Sequence, residues 1–461
     1  MTRAQPPLEF IPPAFNPLIL RGSQFILPFW LRTTAQIDSV DAEGCDRLAE
    51  LYAQFQQKKI RLILAFRHPS TFDPPCLTYL LWKLIPQTAK KKGISLNQPI
   101  HAHFLYDRGI PLWAGNGVSW LASHLGGTSI QRGKLDVPGL RSARQLLVDS
   151  RFPFAAAPEG STNGHSELIS PLEPGIAQLS FWCVDDLRKA KRKQEVLIVP
   201  IGIKYRYANP PWLAIADLLT QLEQDSGLAQ THENKSQTTD LTFEVLYSRL
   251  FRLAEYILAK MEDFYRQFYH REIPKIDSLE IGETETQNPN DQLSIRLRNL
   301  FNTALCVAEE YFKIEPNGNF IDRCRRLEQA GWDCIYRDEL KANNHLSAID
   351  HGLADLVAEE ADLRLWHMRF VDNLVAINGH YIKEKPTAER FAETTLLAWD
   401  LVNRLKGNGT SPRPQLGRQR VQMRVGQSIS ASQRWGDYKA NRRNGVADLT
   451  QDLQTAMEQL L

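Results

Sequence analysis

The sequence is poor in the features that would tie it to a metal, a disulfide framework or the interior of a bilayer. Its six cysteines, Cys45, Cys76, Cys183, Cys306, Cys324 and Cys334, form no C-x-x-C pair, and their scatter argues against a zinc site or a cross-linked secreted fold. Reduced thiols in a cytoplasmic compartment are the expectation. The opening residues 1–7 lack the apolar stretch of a secretory leader. No segment reaches the roughly 18 apolar residues of a membrane-spanning helix. The nearest, Phe15 to Leu31, is interrupted by Arg21, Gly22, Ser23, Gln24 and Pro28. A net charge of +2 gives no general attraction to nucleic acid, which is not expected as a partner. A G-x-S-x-G nucleophile elbow and a G-x-x-x-x-G-K-[ST] phosphate loop are both missing. His101 and His103 alternate on a strand-like run, but no third ligand has suitable spacing, so no metal is expected.

What is present is ordinary in bulk and specific in detail. A hydrophobic content of 43% and a charged content of 23% suit a globular protein. The length of 461 residues asks for two domains, or for one large domain with an insertion. Apolar runs recur at Ile60–Phe66, Ala102–Tyr106, Thr128–Gln131, Phe152–Ala157 and Val196–Tyr205. Helical patterns lie between several of them, at Cys76–Lys83, Val118–His124 and Gly139–Asp149. This alternation predicts an α/β fold with a mostly parallel central sheet flanked by helices. Active residues of such sheets gather at the carboxyl ends of strands.

Beyond about residue 210 strand signals become scarce. A polar stretch, Glu223–Asp240, reads as a loop. Leu246, Leu250, Leu253, Ile257, Met261, Phe264 and Phe268 then make a helical stripe, and Glu272–Asp291 reads as a linker. Further helices are expected at Asn319–Ala330, Leu353–Ile377 and Thr387–Leu405. The run Arg420–Ile429 alternates like a strand. The division expected is therefore an N-terminal docking segment (1–50), an α/β core (51–210), a large mainly helical insertion (211–415), and a return strand with a final helix (416–461).

The chemistry concentrates in Arg67-His68-Pro69-Ser70-Thr71-Phe72-Asp73, where a histidine and an aspartate stand five positions apart just after an apolar run. Histidine is suited to take a proton from an alcohol near neutral pH. A neighbouring carboxylate can fix its tautomer and stabilise the imidazolium. Asp73 also reads as a helix cap, with Pro74 and Pro75 in the first turn. Further along comes Ala157-Pro158-Glu159-Gly160-Ser161.

Together these segments resemble the H-x-x-x-x-D and P-E-G motifs of the glycerolipid acyltransferase family, whose members acylate glycerol-3-phosphate and lysophosphatidic acid. The resemblance covers about residues 55–205, with a further modest match at 420–461 to the family's G-x-P-I-like strand and turn. It implies His68 as the base and Asp73 as its orienter. Gly126 to Arg132 resembles the motif whose arginine binds the acceptor phosphate; Arg132 would grip the phosphate with two hydrogen bonds and Lys134 would assist. Glu159 would bind an acceptor hydroxyl, Gly160 would permit close approach, and Ser161 stands with them. Pro200, after Val196–Val199, would shape the acyl pocket. Arg67 stands where the family has asparagine, and Ser161, Thr162 and Asn163 replace the usual T-R-S. Arg67 would supply the missing cation.

The implied reaction is transfer of a fatty acyl group from acyl-CoA or acyl-acyl carrier protein to a glycerolipid hydroxyl, most simply that of 1-acylglycerol-3-phosphate, by direct attack. The thioester is a cosubstrate, and no other cofactor is implied. The alternatives are a phosphate-free lipid acceptor, or a noncatalytic lipid-binding or scaffold protein on the same fold. Short apolar patches in Phe15–Leu31, with basic clusters at Lys90–Lys92 and Arg188–Lys193, suggest a peripheral protein on the cytoplasmic face of a membrane; the same clusters also read as solvated helix ends. The oligomeric state is left open.

Overall fold

The computed structural model describes residues 2–131, 136–228, 242–274, 288–341, 346–376, 379–408 and 412–461. They fall into two compact units: an α/β unit, Glu9–Asn209 with Gly417–Leu461, and a second unit, Met1–Leu8 with Pro210–Leu416.

The α/β unit begins with helix α1 (Pro17–Thr33), strand β1 (Ile37–Glu43), α2 (Cys45–Gln56) and β2 (Ile60–Phe66). Helix α3 (Asp73–Tyr79) runs through a π-turn at Leu80–Leu84 into α4 (Ile85–Lys92). Next come β3 (His103–Asp107), α5 (Ile110–Trp113), α6 (Asn116–His124), β4 (Thr128–Ile130), α7 (Val137–Asp149), β5 (Phe154–Ala156), α8 (Gly175–Lys189) and β6 (Glu195–Tyr207).

The second unit is helical. It comprises α9 (Trp212–Asp225), α10 (Phe243–Phe268), α11 (Pro289–Phe312), α12 (Phe320–Ile335), α13 (Ala348–Leu374), α14 (Tyr381–Glu384) and α15 (Ala388–Leu405). Leu246, Leu250, Leu253, Ile257 and Met261 are the buried stripe of α10, whereas Phe268 is exposed at its end. The chain then returns through β7 (Gln419–Val425), β8 (Ile429–Ser430), α16 (Trp435–Ala440) and α17 (Arg442–Glu458).

The strands form one sheet in the order β1-β7-β6-β2-β5-β3-β4, with β8 also paired to β6. The run from β6 to β4 is parallel throughout. β7 is antiparallel to β6 and parallel to β1. Every residue of β2 is buried, as expected of a strand covered on both faces. Leu62, Leu64 and Phe66 face one core with α2, α3 and α4; Ile63 and Ala65 face the other with α7, α8 and α17. The result is a helix–sheet–helix sandwich, the α/β class expected. The run at 420–429 enters the sheet that carries His68, so the helical unit is inserted between β6 and β7 in the chain.

Two expectations need correction. Residues 1–50 are not one separate segment: α1, β1 and the start of α2 belong to the α/β unit, and only the first residues go with the helical unit. β1 escaped notice because Ile37–Glu43 is an edge strand, charged and only partly buried. The stretch from Glu223 is not all loop either. α9 runs to Asp225, and Glu223 is buried against Arg249 (2.8 Å) and Arg252 (3.3 Å), which is why a charged residue sits in a helix interface.

Candidate active site

β2 delivers Arg67 and His68 to its carboxyl end. The turn that follows puts Asp73 at the start of α3, where its carboxylate faces back rather than along the helix. The N-cap of α3 is Phe72 and not Asp73, which is the first residue of the helix. Asp73 Oδ2 accepts from the Ser70 backbone N–H at 2.7 Å and lies 3.1 Å from His68 Nδ1. Its Oδ1 accepts from the Tyr205 hydroxyl at 2.6 Å. Asp73 is fully buried, while the His68 side chain is 20% exposed. With Nδ1 turned to Asp73, Nε2 is left without a hydrogen-bond partner among the described residues. The pair thus presents a histidine whose inner nitrogen is held by a carboxylate and whose outer nitrogen faces away from that partner.

Burial pushes the Asp73 carboxyl above its ordinary range, against the opposing pull of His68, the Tyr205 hydroxyl and the Ser70 N–H. The Tyr205 hydroxyl is itself held well above its usual value by burial and by the charge on Asp73, so it remains a donor. Burial and Asp73 also push the Cys76 thiol up, which keeps it protonated and removes it as a nucleophile.

Glu159 follows β5, which lies directly beside β2. Its side chain is interior, and both oxygens are engaged. Oε1 accepts from the His68 backbone N–H at 2.8 Å and lies 3.4 Å from Arg67 Nε. Oε2 accepts from Asn163 Nδ2 at 3.0 Å and from the Ser170 N–H at 3.1 Å. Glu159 therefore ties the loop after β5 to the backbone of the histidine itself.

Arg67 has no exposed surface. Its Nη1 donates to the Ser166 carbonyl at 2.6 Å, and its Nη2 donates to the carbonyls of His165 (3.1 Å) and Leu168. Expected to supply the missing cation for the acceptor, this buried guanidinium gives Nη1 and Nη2 to the 165–168 backbone and turns Nε toward Glu159. Ser166 Oγ, in turn, accepts from the Tyr205 N–H at 3.3 Å, and Lys204 pairs with Glu167 at 2.9 Å. The loop 161–170 is thus strapped across the ends of β2 and β6.

Gly160 has φ +73°, and a Cβ there would lie 2.2 Å from Glu173 Oε1. The backbone favours glycine, and any side chain there would also displace the Glu173 carboxylate. Ser161 is partly buried in the same turn.

Pro200 lies in β6 opposite Ala65. Its missing N–H falls where the partner of β6 changes from β8 to β7, which explains a proline inside a central strand. Strand alternation places Pro200 on the face opposite Val199, Ile201 and Tyr205, hence on the other side of the sheet from the Tyr205–Asp73 contact. The structure does not bring it together with the dyad. Arg132 and Lys134 lie outside the described residues.

His101 and His103 are held by hydrogen bonds. Trp82 Nε1 donates to His101 Nδ1 at 3.1 Å, so Nε2 carries the proton given to the Leu125 carbonyl at 2.7 Å. His103 Nδ1 binds the Gly126 carbonyl at 2.6 Å. The two rings fix the glycine turn ahead of β4.

Sequence reasoning missed Tyr205 and Asn163. Tyr205 stands far from Asp73 in the chain, and its one signal is its place at the carboxyl end of an apolar run parallel to the one before His68. No protein-family model and no curated protein matches this chain.

Proposed function

We propose that the protein is an O-acyltransferase that moves a fatty acyl group from a thioester to a glycerolipid hydroxyl. The observation that carries this reading is the His68–Asp73 pair, with Nδ1 bound at 3.1 Å and the ring still partly exposed. His68 Nε2 takes the proton of the acceptor hydroxyl as the hydroxyl oxygen attacks the thioester carbonyl. Collapse of the tetrahedral intermediate breaks the carbon–sulfur bond, and the imidazolium returns the proton to the departing thiolate. Asp73 holds Nδ1–H and stabilises the transient cation. The donor is acyl-CoA or acyl-acyl carrier protein, and the acceptor is 1-acylglycerol-3-phosphate. The proposed setting is the cytoplasmic face of a membrane, held peripherally; no helix among the described residues is long and apolar enough to cross one. Purified protein incubated with a labelled acyl thioester and lysophosphatidate tests this: labelled phosphatidate is the expected product, and its absence overturns the reading.

The burial of Arg67 favours a second reading, in which the acceptor is a phosphate-free lipid alcohol. That arginine was expected to replace the cation absent from the P-E-G segment, and its Nη1 and Nη2 already donate to the 165–168 backbone. Substituting Arg132→Ala separates the two. A phosphate acceptor predicts a rise in acceptor KM with the donor KM unchanged, and a neutral acceptor predicts neither.

A further inference from the structure

α1 has an unusual outer face. Asn16 caps it through the N–H groups of Leu18 and Ile19, and Pro17 opens its first turn, so the helix is well started. Leu20 and Leu31 are its buried residues. On the other side Phe25 is 87% exposed and Phe29 71%, with Leu18 and Ile26 also open to solvent. A stripe of four large apolar side chains is not what a solvated helix presents. The only charged residues between Phe10 and Ile37 are Arg21 and Arg32, and both are exposed.

A second apolar surface adjoins it. Trp113 at the end of α5 is 55% exposed and Trp120 of α6 is 51% exposed, with Leu112 and Leu121 beside them in sequence. From Gly109 to Gln131 there is no Asp, Glu, Lys or Arg. The two surfaces meet where the chain enters α1: the Ala14 N–H donates to the Ser123 carbonyl at 2.9 Å and the Asn16 N–H to the His124 carbonyl at 2.8 Å. The entry to α1 is therefore tied to the last turn of α6, the helix that carries Trp120 and Leu121. Farther along α1, Trp30 packs edge-on against Phe72 at 5.9 Å, the residue before Asp73.

We propose that the outer face of α1 and the α5–α6 segment form one docking surface for an anionic lipid bilayer, placed beside the His68–Asp73 pair. Its chemistry selects that occupant. Exposed phenylalanines suit insertion among acyl chains, and tryptophans suit the headgroup boundary. The charges carried by α1 itself are the two exposed arginines Arg21 and Arg32, which complement acidic headgroups. The surface rests on the peripheral-membrane reading above and deepens it by adding α5–α6, the lipid charge and the location beside the dyad. A bilayer seated there would bring a lipid hydroxyl to the dyad by lateral diffusion.

The test uses the full chain with vesicles of phosphatidylcholine alone or mixed with phosphatidylglycerol, read by flotation. Flotation with the mixed vesicles is expected, with each arginine worth about fivefold in partitioning. The double variants Phe25→Ser/Phe29→Ser and Trp113→Ser/Trp120→Ser should each reduce it about tenfold or more while circular dichroism stays unchanged. Vesicles with brominated acyl chains should quench tryptophan fluorescence, and Trp113→Phe/Trp120→Phe should remove most of that quenching. Equal binding to neutral vesicles, or full binding by Trp113→Ser/Trp120→Ser, overturns the proposal. So does a concentration-dependent dimer, seen by sedimentation, that the same variants dissolve. Acyl transfer to detergent-dispersed acceptor is measured alongside: its loss in the native chain with flotation intact removes the catalytic reading and leaves the docking surface standing.

Discussion

The Tyr205 hydroxyl donates a 2.6 Å hydrogen bond to Asp73 Oδ1, from the strand next to the one that leads into His68. Asp73 thus has its two oxygens divided, one for Tyr205 and one for His68 and the Ser70 N–H. Tyr205→Phe keeps the ring and removes the donor. It should cost about 1–3 kcal/mol of stability, because a buried carboxylate oxygen loses its partner. Turnover should fall less than in Asp73→Asn, and urea unfolding with steady-state kinetics on the same preparation measures both.

Asp73→Asn retains the volume but withdraws the charge that steadies the imidazolium. A loss of about 10²–10⁴-fold in kcat, with the acceptor KM little changed, is expected if Asp73 acts only through His68. A KM effect alone would place Asp73 in substrate binding.

Arg67 and Glu159 should behave as a structural pair. Arg67→Met leaves Glu159 buried without its cation and the carbonyls of 165, 166 and 168 without donors, at a cost of about 3–5 kcal/mol. Glu159→Gln preserves an acceptor for the His68 N–H and should cost less. Equilibrium unfolding orders the two variants. A soluble, stable Arg67→Met protein with a raised acceptor KM would make Arg67 a substrate ligand instead.

Acid should destabilise the α/β unit in a defined window. Burial lowers His101 to about 4 from its ordinary value of about 6.5. Between those values the unfolded chain binds more protons than the folded one, so stability is lost as pH falls from about 6.5 towards 4 and is retained above it. His103 is lowered in the same direction by burial. His101 alone corresponds to about 3 kcal/mol across the window. His101→Gln, which can still accept from Trp82 and donate to Leu125, should flatten the profile of unfolding free energy against pH; an unchanged slope would exclude His101 as its source.

The α/β class was legible because its central strands are buried on both faces, which leaves uninterrupted apolar runs such as Ile60–Phe66 and Val196–Tyr205. β1 was not, because an edge strand mixes Asp38, Asp41 and Glu43 with its few apolar residues. His68 and Asp73 were legible from local spacing, since one turn brings them together. The partners of that pair were not. Tyr205 reaches Asp73 only through the pairing of β2 with β6, a long-range register that no local pattern encodes. Arg67 misled for a related reason. Its charge and position suggested a replacement cation for the acceptor, and only the fold of the 165–168 loop around it reveals a buried guanidinium tied to backbone carbonyls.

The central claim is that His68 is the base of an acyl transfer to a lipid hydroxyl. The most direct measurement is transfer of labelled acyl groups from a thioester to lysophosphatidate and to uncharged lipid alcohols, by the purified native chain and by His68→Ala at equal folded concentration. Labelled lipid ester formed by the native chain, and reduced about 10²–10⁴-fold or more in His68→Ala, is the predicted result. Near-native turnover by His68→Ala, or no ester from any acceptor with the native chain, would contradict it.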